Sequence, residues 1–101
     1  MDVDELSISY TEDGHEVVKE MDKVILSKGA WATVMYKYLE WDKRKEDYGE
    51  EKYSIRRYQK RNGEYKQKSK FNISSKAQAE KIIDALTKWT TESEVDTESV
   101  E

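Results

Sequence analysis

Residues 52–73, with the sequence KYSIRRYQKRNGEYKQKSKFNI, decide the fold of this chain. Two segments in which apolar or aromatic side chains are interleaved with polar ones flank Asn62-Gly63. An Asn-Gly pair in this setting is a strong signal for a tight turn between two antiparallel strands. The stretch therefore predicts a β-hairpin, and the rest of the sheet is built outward from it.

The turn of this hairpin sets which side chains share a face. A two-residue Asn62-Gly63 turn would put Tyr53 and Ile55 on the face opposite Phe71 and Ile73. A three-residue loop, residues 61–63 with glycine in the left-handed bulge position, changes the parity and unites the apolar set, so we predict this loop. The predicted apolar core face carries Tyr53, Ile55, Arg57, Tyr65, Phe71 and Ile73. The predicted cationic face carries Lys52, Ser54, Arg56, Tyr58, Lys60, Lys66, Lys68 and Lys70.

Two further strands are predicted upstream of the hairpin. Residues 15–28 are rich in valine and isoleucine, and residues 30–41 are dense in aromatic and β-branched side chains, which fit a pleated sheet. Gly29 separates the two segments, and residues 42–51 form a charged loop. Together with the hairpin, these segments predict four consecutive strands from residue 15 onward.

One helix is predicted after the hairpin, over residues 74–90. Ser75 and Gln78 have the spacing of a capping box, in which each side chain bonds a backbone N–H at the helix start. The apolar residues that follow recur at helical spacing and form one stripe, namely Ala79, Ile82, Ile83, Leu86 and Trp89. The predicted fold class is α+β: a four-stranded antiparallel sheet followed by one C-terminal helix (β-β-β-β-α).

The charges divide the chain into three segments. Residues 1–16 hold six acids and no base, residues 91–101 hold five acids and no base, and residues 17–90 carry a net charge of +7 in a chain of −4. Acidic, polar composition predicts that residues 1–14 and 91–101 are flexible tails. One folded domain, residues 15–90, lies between them.

Size and hydrophobicity predict a dimer. A domain of this length buries only about 60% of its unfolded surface, and the chain has no cysteine with which to form a disulfide. A homodimer that covers the helix stripe would add apolar burial. The predicted dimer interface is Ile82, Ile83, Leu86 and Trp89.

The functional signal is a basic strip, residues 52–70, with eight Lys or Arg residues and one acid, Glu64. Cations attract a polyanion, and the tyrosines between them offer ring faces on which unpaired bases can stack. The strip predicts binding of a single strand, DNA with RNA as the alternative, rather than of a duplex. Trp31 is a second candidate stacking platform beside Tyr58. The predicted nucleic-acid-binding residues are Trp31, Lys52, Arg56, Tyr58, Lys60, Lys66, Lys68 and Lys70.

Two alternatives stay open on the sequence. The lysines can serve only to keep the chain soluble and to protect sheet edges, with the aromatic strand and the acidic tails binding another protein. The acidic tails, in turn, either add solubility or compete with nucleic acid for the basic strip.

Other classes of function are disfavoured by what the sequence lacks. It has no cysteine, no serine-centred elbow, no phosphate-binding glycine loop and no convincing acid-base pair, so we expect no enzymatic activity, cofactor or small-molecule substrate. The acidic loop, residues 42–51, lacks the calcium-loop pattern and has lysine and arginine interleaved, so we expect no metal site. No apolar run approaches the roughly 18 residues that span a bilayer, and the first residues lack a signal-peptide pattern, so we expect an intracellular protein.

Short motifs carry a family resemblance. They are Val24-Ile25-Leu26-Ser27, the tryptophans Trp31 and Trp41 that bracket the second strand, Lys52-Tyr53-Ser54-Ile55-Arg56-Arg57-Tyr58, and Lys70-Phe71-Asn72-Ile73-Ser74. Over residues 15–90 this arrangement resembles the positive cofactor four family of single-stranded-DNA-binding transcriptional coactivators, and most closely their small bacterial relatives. The third motif is similar to the family's K-Y-D-I-R-x-W, and the fourth to its K-G-I-S-L.

The resemblance implies a homodimer with curved sheets that form channels for single-stranded DNA, acting in transcription regulation or in replication and repair. By position, Arg56, Tyr58 and Lys70 would belong to the DNA-binding set. This chain departs from the motifs at Ser54 in place of aspartate, at Tyr58 in place of tryptophan, and at Phe71 in place of glycine.

Overall fold

The protein is a curled antiparallel sheet followed by one helix. The computed structural model describes residues 2–100 of the chain, and the side chains of residues 2–92. A single 3₁₀ turn at Val3–Glu5 precedes the sheet. The strands and the helix are β1 (Tyr10–Glu12), β2 (His15–Ser27), β3 (Trp31–Asp42), β4 (Asp47–Tyr48), β5 (Lys52–Arg61), β6 (Glu64–Ile73) and α1 (Lys76–Val100).

The strand order confirms the predicted α+β class. The described part of the sheet has six strands, whereas four were predicted. The order across the sheet is β1-β2-β3-β5-β6, with β4 paired to β3 off this path. The four predicted strands correspond to β2, β3, β5 and β6. Two short strands are added, because Tyr10–Glu12 pairs with the start of β2 and Asp47–Tyr48 pairs with the end of β3.

The β5–β6 hairpin closes with a two-residue turn, so the predicted three-residue loop is wrong. Arg61 pairs with Glu64, and Asn62 and Gly63 have φ angles of 53° and 78°. Two consecutive residues with positive φ are what a tight hairpin turn of matching twist requires, and Asn-Gly adopts them at low cost.

The change of parity occurs inside β6 instead. Arg57 pairs with Ser69 while Tyr58 pairs with Gln67, which leaves Lys68 as an extra residue. One extra residue is a β-bulge, and it shifts the side-chain alternation on one side of it. Beyond the bulge Ile55 therefore lies opposite Phe71, as predicted, whereas on the turn side the predicted faces of Tyr65 and Lys66 are exchanged.

The core lies on the face that carries the even-numbered residues of β3 and β5, called here the inner face. Its most buried members are Ala32, Val34, Tyr36, Tyr38, Ser54 and Tyr58. The sequence predicted that Ser54 and Tyr58 would lie on a solvated cationic face, and this is wrong. Residues 3–8 supply the second layer against these strands, because Val3, Leu6 and Ile8 are buried in the same cluster.

The N-terminal segment is therefore part of the fold, although its composition predicted a flexible tail over residues 1–14. The Lys23 ammonium donates hydrogen bonds to the backbone carbonyls of Asp4 and Leu6, and Ile8 N–H donates to the Glu20 carboxylate. Acidic side chains face solvent while the apolar ones between them face the sheet. The acidic composition of the segment as a whole gave no indication that Val3, Leu6 and Ile8 would be buried.

The opposite face of the sheet, called here the outer face, carries a row of apolar side chains that runs across four strands. Val24 pairs with Met35, Met35 with Ile55, and Ile55 with Phe71. Val24 and Phe71 are 50% and 53% exposed, and the other two are half-buried. The sequence predicted that Ile55 and Phe71 would face the core; they share a face, but it is the face opposite the one that residues 3–8 cover.

Helix α1 begins as predicted and extends further. Gln78 N–H donates to Ser75 Oγ at 3.1 Å, as in a capping box. The reciprocal bond to Gln78 Oε1 comes from Ser74 N–H at 2.8 Å, one residue before the cap, rather than from Ser75 N–H. The helix continues to Val100 through most of the segment 91–101, for which a tail was predicted; Glu101 lies outside the described residues. Its main contacts with the sheet are to β6. Accordingly Ile83, Leu86 and Trp89 of the stripe are 53–60% exposed, and Ile82 is half-buried.

Candidate nucleic-acid interface

The cations of the basic strip lie on both faces of the β5–β6 hairpin rather than on one. Pairing places Lys52, Arg56, Lys60 and Lys70 on the inner face. It places Arg57, Arg61 and Lys66 on the outer face, and Lys68 occupies the bulge. Arg57 had been predicted on the core face, and nothing in the sequence marked the bulge that exchanges the faces around the turn.

Few of these cations are neutralised by a carboxylate. Among the side chains of residues 2–92, the ion pairs are Lys52 with Glu40 at 2.8 Å and Lys37 with Glu51 at 3.9 Å. The hydrogen bond that Lys52 donates to the Glu40 carboxylate raises the pKa of Lys52 above its usual value. The positive charge of Lys52, one of the predicted binding residues, is thus partly neutralised by Glu40. The other seven cations of the strip form no ion pair with a carboxylate of residues 2–92.

Arg56 is held in place by neutral acceptors. Its Nε donates to Ser54 Oγ at 3.2 Å and its Nη1 donates to Gln67 Oε1 at 3.1 Å. The Ser54 hydroxyl, fully buried, donates to Asn72 Oδ1 at 2.7 Å. These bonds fix the direction of the guanidinium without cancelling its charge.

Lys70 lies directly opposite Arg56 on the neighbouring strand. Two like charges at directly opposed positions of an antiparallel pair destabilise each other. Lys70 is exposed and Arg56 half-buried. A phosphate placed between the two cations would relieve the repulsion and accept charge-assisted hydrogen bonds from both.

Tyr58 does not offer a stacking surface. It is 5% exposed, and its hydroxyl oxygen lies 2.9 Å from that of Tyr36 in the core. Burial, and then the hydrogen bond to Tyr58, raise the pKa of Tyr36 well above its ordinary value. The predicted role of Tyr58 as a platform for bases is incompatible with this packing.

Trp31 is the exposed aromatic of the hairpin end of the sheet. Its side chain is 41% exposed on the outer face, and the Arg57 guanidinium lies 4.6 Å from the centre of its ring. On the inner face, Lys60 lies 5.5 Å from the Tyr65 ring. Cations above aromatic faces at these distances are attracted to the ring quadrupole.

A second aromatic cluster lies at the far end of β3. His15 packs edge-on against Trp41 with ring centres 4.1 Å apart, and Tyr48 packs edge-on against the same tryptophan at 5.2 Å. The sequence placed His15 at the margin of a flexible segment. The pairing of β4 with β3, which no local signal predicted, brings Tyr48 to this position.

Two negative findings complete the site. No three His, Asp or Glu side chains within residues 2–92 cluster closely enough to hold a metal ion. In the part of the chain that the structure describes, no helix has the length and apolarity needed to cross a bilayer.

Comparisons of the chain with protein-family models, with curated proteins and with solved structures gave no match. The resemblance to the positive cofactor four family therefore rests on the short motifs given above.

Proposed function

We propose that this protein binds single-stranded nucleic acid, DNA or RNA, through the β5–β6 hairpin, and that it has no catalytic activity. The supporting observation is the pair Arg56 and Lys70, which lie opposite each other with Arg56 oriented by Ser54 and Gln67. Neither cation forms an ion pair with a described carboxylate. A phosphate is the ligand that this arrangement suits best, because an arginine fork and a lysine both donate to phosphate oxygens.

A chain of phosphates suits the surrounding surface better than a single small anion does. Lys60, Lys68 and the outer-face cations Arg57, Arg61 and Lys66 continue the positive surface around the turn. The only acid within the strip is Glu64. A flexible single strand can follow a surface that passes from one face of a hairpin to the other, whereas a stiff duplex cannot. Such a protein would act in transcription regulation, replication or repair, inside the cell.

We also propose that the functional unit is a homodimer. The outer-face apolar row and the stripe of α1 are both exposed, and a second copy of the chain would cover them together. Monomeric proteins rarely leave contiguous apolar surface of this kind open to water. The stripe residues proposed for the interface are Ile82, Ile83, Leu86 and Trp89.

The alternative function is a protein-interaction module without nucleic-acid binding. It is favoured by the exposed Trp31, Phe71 and Trp89, since aromatic residues are enriched where partners bind. In that case the cations would contribute solubility alone.

A titration of labelled single-stranded and duplex oligonucleotides against salt tests the proposal. If about five phosphates are neutralised, log K should fall against log[salt] with a slope of about −3.5 for the single strand. The double variant Arg56→Gln/Lys70→Gln should weaken binding and bring the slope nearer zero by about 1.4, at ~0.7 per contact.

The matched control is Lys43→Gln/Arg44→Gln, which removes the same charge from the distant loop between β3 and β4. It should leave the slope nearly unchanged. Absence of binding at low salt, or equal losses in the two double variants, would refute a phosphate site at Arg56 and Lys70.

A further inference from the structure

At the end of the sheet nearest the β5–β6 turn, the outer face carries an exposed tryptophan, Trp31, and two exposed cations, Arg57 and Lys66. Trp31 pairs with Gln59, and Gln59 pairs with Lys66, so these three side chains form one cross-strand row. Arg57 lies two residues from Gln59 along β5, on the same face, and is diagonal to Trp31. Gln59 is half-buried, while Arg57 and Lys66 are exposed, which gives a flat aromatic surface bordered by two cations.

Neighbouring strands hold Trp31 in position. Lys60 N–H donates to the Ala30 carbonyl at 2.7 Å, and the Tyr65 hydroxyl donates to the Gly29 carbonyl at 2.7 Å. The two residues before Trp31 are thereby bound to β5 and β6. The Arg57 guanidinium, 4.6 Å from the ring centre, further restricts the indole. A preorganised ring loses little conformational entropy when a ligand stacks on it.

The surface around Trp31 and Arg57, called here the platform, is separate from the Arg56–Lys70 pair and from the outer-face apolar row. It lies on the face opposite Arg56 and Lys70. Trp31 is four residues along β3 from Met35, so the apolar row is about 13 Å away at ~3.3 Å per residue.

We propose that Trp31 and Arg57 form a stacking site for an unpaired base, with Lys66 contacting the adjoining phosphate. The inference rests on the proposed function and extends it, because it assigns base contact to the outer face. Within the described residues β6 is the last strand of the sheet. A single strand bound at Arg56 and Lys70 reaches Trp31 by crossing the free edge of β6 at the Lys68 bulge. A duplex offers no unpaired base to the platform.

Three variants test the site in the full chain, each checked for folding by circular dichroism. They are Trp31→Ala, Trp31→Phe and Arg57→Gln. Two ligands of equal length are used: a 15-mer of oligothymidylate and an abasic 15-mer with the same phosphates and no bases. Base stacking on an aromatic side chain makes a contribution that alanine substitution removes, and its loss corresponds to at least about fivefold in affinity.

Trp31→Ala should bind oligothymidylate at least about fivefold more weakly than wild type, with the salt slope nearly unchanged, and should bind the abasic 15-mer as wild type does. Trp31→Phe keeps a ring and should restore most of the lost affinity. It also keeps the test open if the alanine variant fails to fold.

Arg57→Gln should lower affinity for oligothymidylate more than for the abasic 15-mer, because it frees the indole as well as removing a charge. Its control is Arg44→Gln, which removes one charge from the distant loop and should affect neither ligand. Equal affinity of folded Trp31→Ala and wild type for oligothymidylate would overturn the platform.

The outcomes separate this inference from the proposed function. Loss of binding in Arg56→Gln/Lys70→Gln with no effect of Trp31→Ala defeats the platform alone. Equal losses for the abasic and thymidylate ligands in Trp31→Ala would also defeat it, since charge or misfolding would then explain the effect. A wild-type protein that binds neither 15-mer defeats both proposals.

Discussion

The inner and outer faces of the sheet differ in how much of each is covered by other parts of the chain. On the inner face Ala32, Val34 and Tyr36 are at most 1% exposed beneath residues 3–8. On the outer face Val24 and Phe71 are half exposed, and the stripe of α1 is equally open. Both faces are apolar at their centres, so apolarity alone did not decide which became the core.

The position of the chain termini explains the difference. The N-terminal segment precedes β1 at one edge of the sheet and lies back over the inner face, where Lys23 and Glu20 bind its backbone. The helix leaves β6 at the opposite edge and contacts that strand rather than crossing the sheet. The inner face is therefore a complete core, with no buried side-chain polar atom among the described residues left without a partner. On the outer face Val24 and Phe71 are left about half exposed.

Deleting residues 2–9 should have the largest effect, because it removes the inner layer. Burial of Val3, Leu6 and Ile8 is worth roughly 1.5–3 kcal/mol for each side chain, and the sum of roughly 4.5–9 kcal/mol approaches the whole stability of a small domain. The shortened chain should lose cooperative unfolding in urea. The control Asp2→Asn/Asp4→Asn/Glu5→Gln keeps the apolar anchors and should unfold as wild type does. A deletion variant with an unchanged urea midpoint would mean that the segment is only a tail.

Leu86→Glu should act on the outer surface and leave the inner core intact. A charge on the exposed stripe of α1 would be buried without a partner in a homodimer, at a cost of several kcal/mol. Sedimentation at high micromolar concentration should show dimer for wild type and monomer for the variant, with circular dichroism unchanged. Thr87→Glu adds the same charge beside the stripe and should remain dimeric. A monomeric wild type would reject the dimer outright.

Alkaline pH should weaken the inner face through Tyr36. Its pKa is raised in the folded state by burial and by the bond to Tyr58, so the unfolded state releases its proton first. The associated stability is complete below the unfolded value near pH 10 and falls as pH rises above it, by about 1.4 kcal/mol at pH 11. Urea midpoints from pH 8 to 11 measure the fall. Tyr36→Phe should make it shallower, and an identical pH profile in this variant would contradict the assignment.

Ser75→Ala should have the smallest effect, because it alters only the start of the helix. The hydroxyl accepts the Gln78 N–H at 3.1 Å, and loss of such a cap costs about 1 kcal/mol. The urea midpoint measures it. Ser74→Ala removes a longer hydroxyl contact, 3.3 Å from Gln78 Oε1, and should cost less. A larger loss for Ser74→Ala would place the cap one residue earlier.

Most of the elements could be predicted from the sequence, and their faces could not. Strand composition, Asn62-Gly63 and the Ser75–Gln78 box are local signals, and each marked the start of its element within a few residues, although the helix extends ten residues beyond its predicted end. The candidate site was predicted less well. Arg56 and Lys70 lie together as expected, but Tyr58 is buried, Lys66 lies on the other face, and Arg57 had been assigned to the core.

The bulge at Lys68 accounts for part of this difference. A single extra residue exchanges the faces of every side chain on one side of it, and no residue type identifies it in advance. The packing of residues 3–8 accounts for the rest, since it depends on contacts with strands that lie far along the chain.

By itself, the sequence determined an antiparallel sheet with a C-terminal helix, a cationic hairpin and an apolar helix stripe. These features follow from turn chemistry, side-chain periodicity and charge, which act over a few neighbouring residues. Only the tertiary structure decided which face of the sheet became the core, that Tyr58 is enclosed, and that Trp31 stands exposed beside Arg57. Those outcomes depend on which distant segment covers which face, because burial is a property of the assembled layers rather than of any one strand.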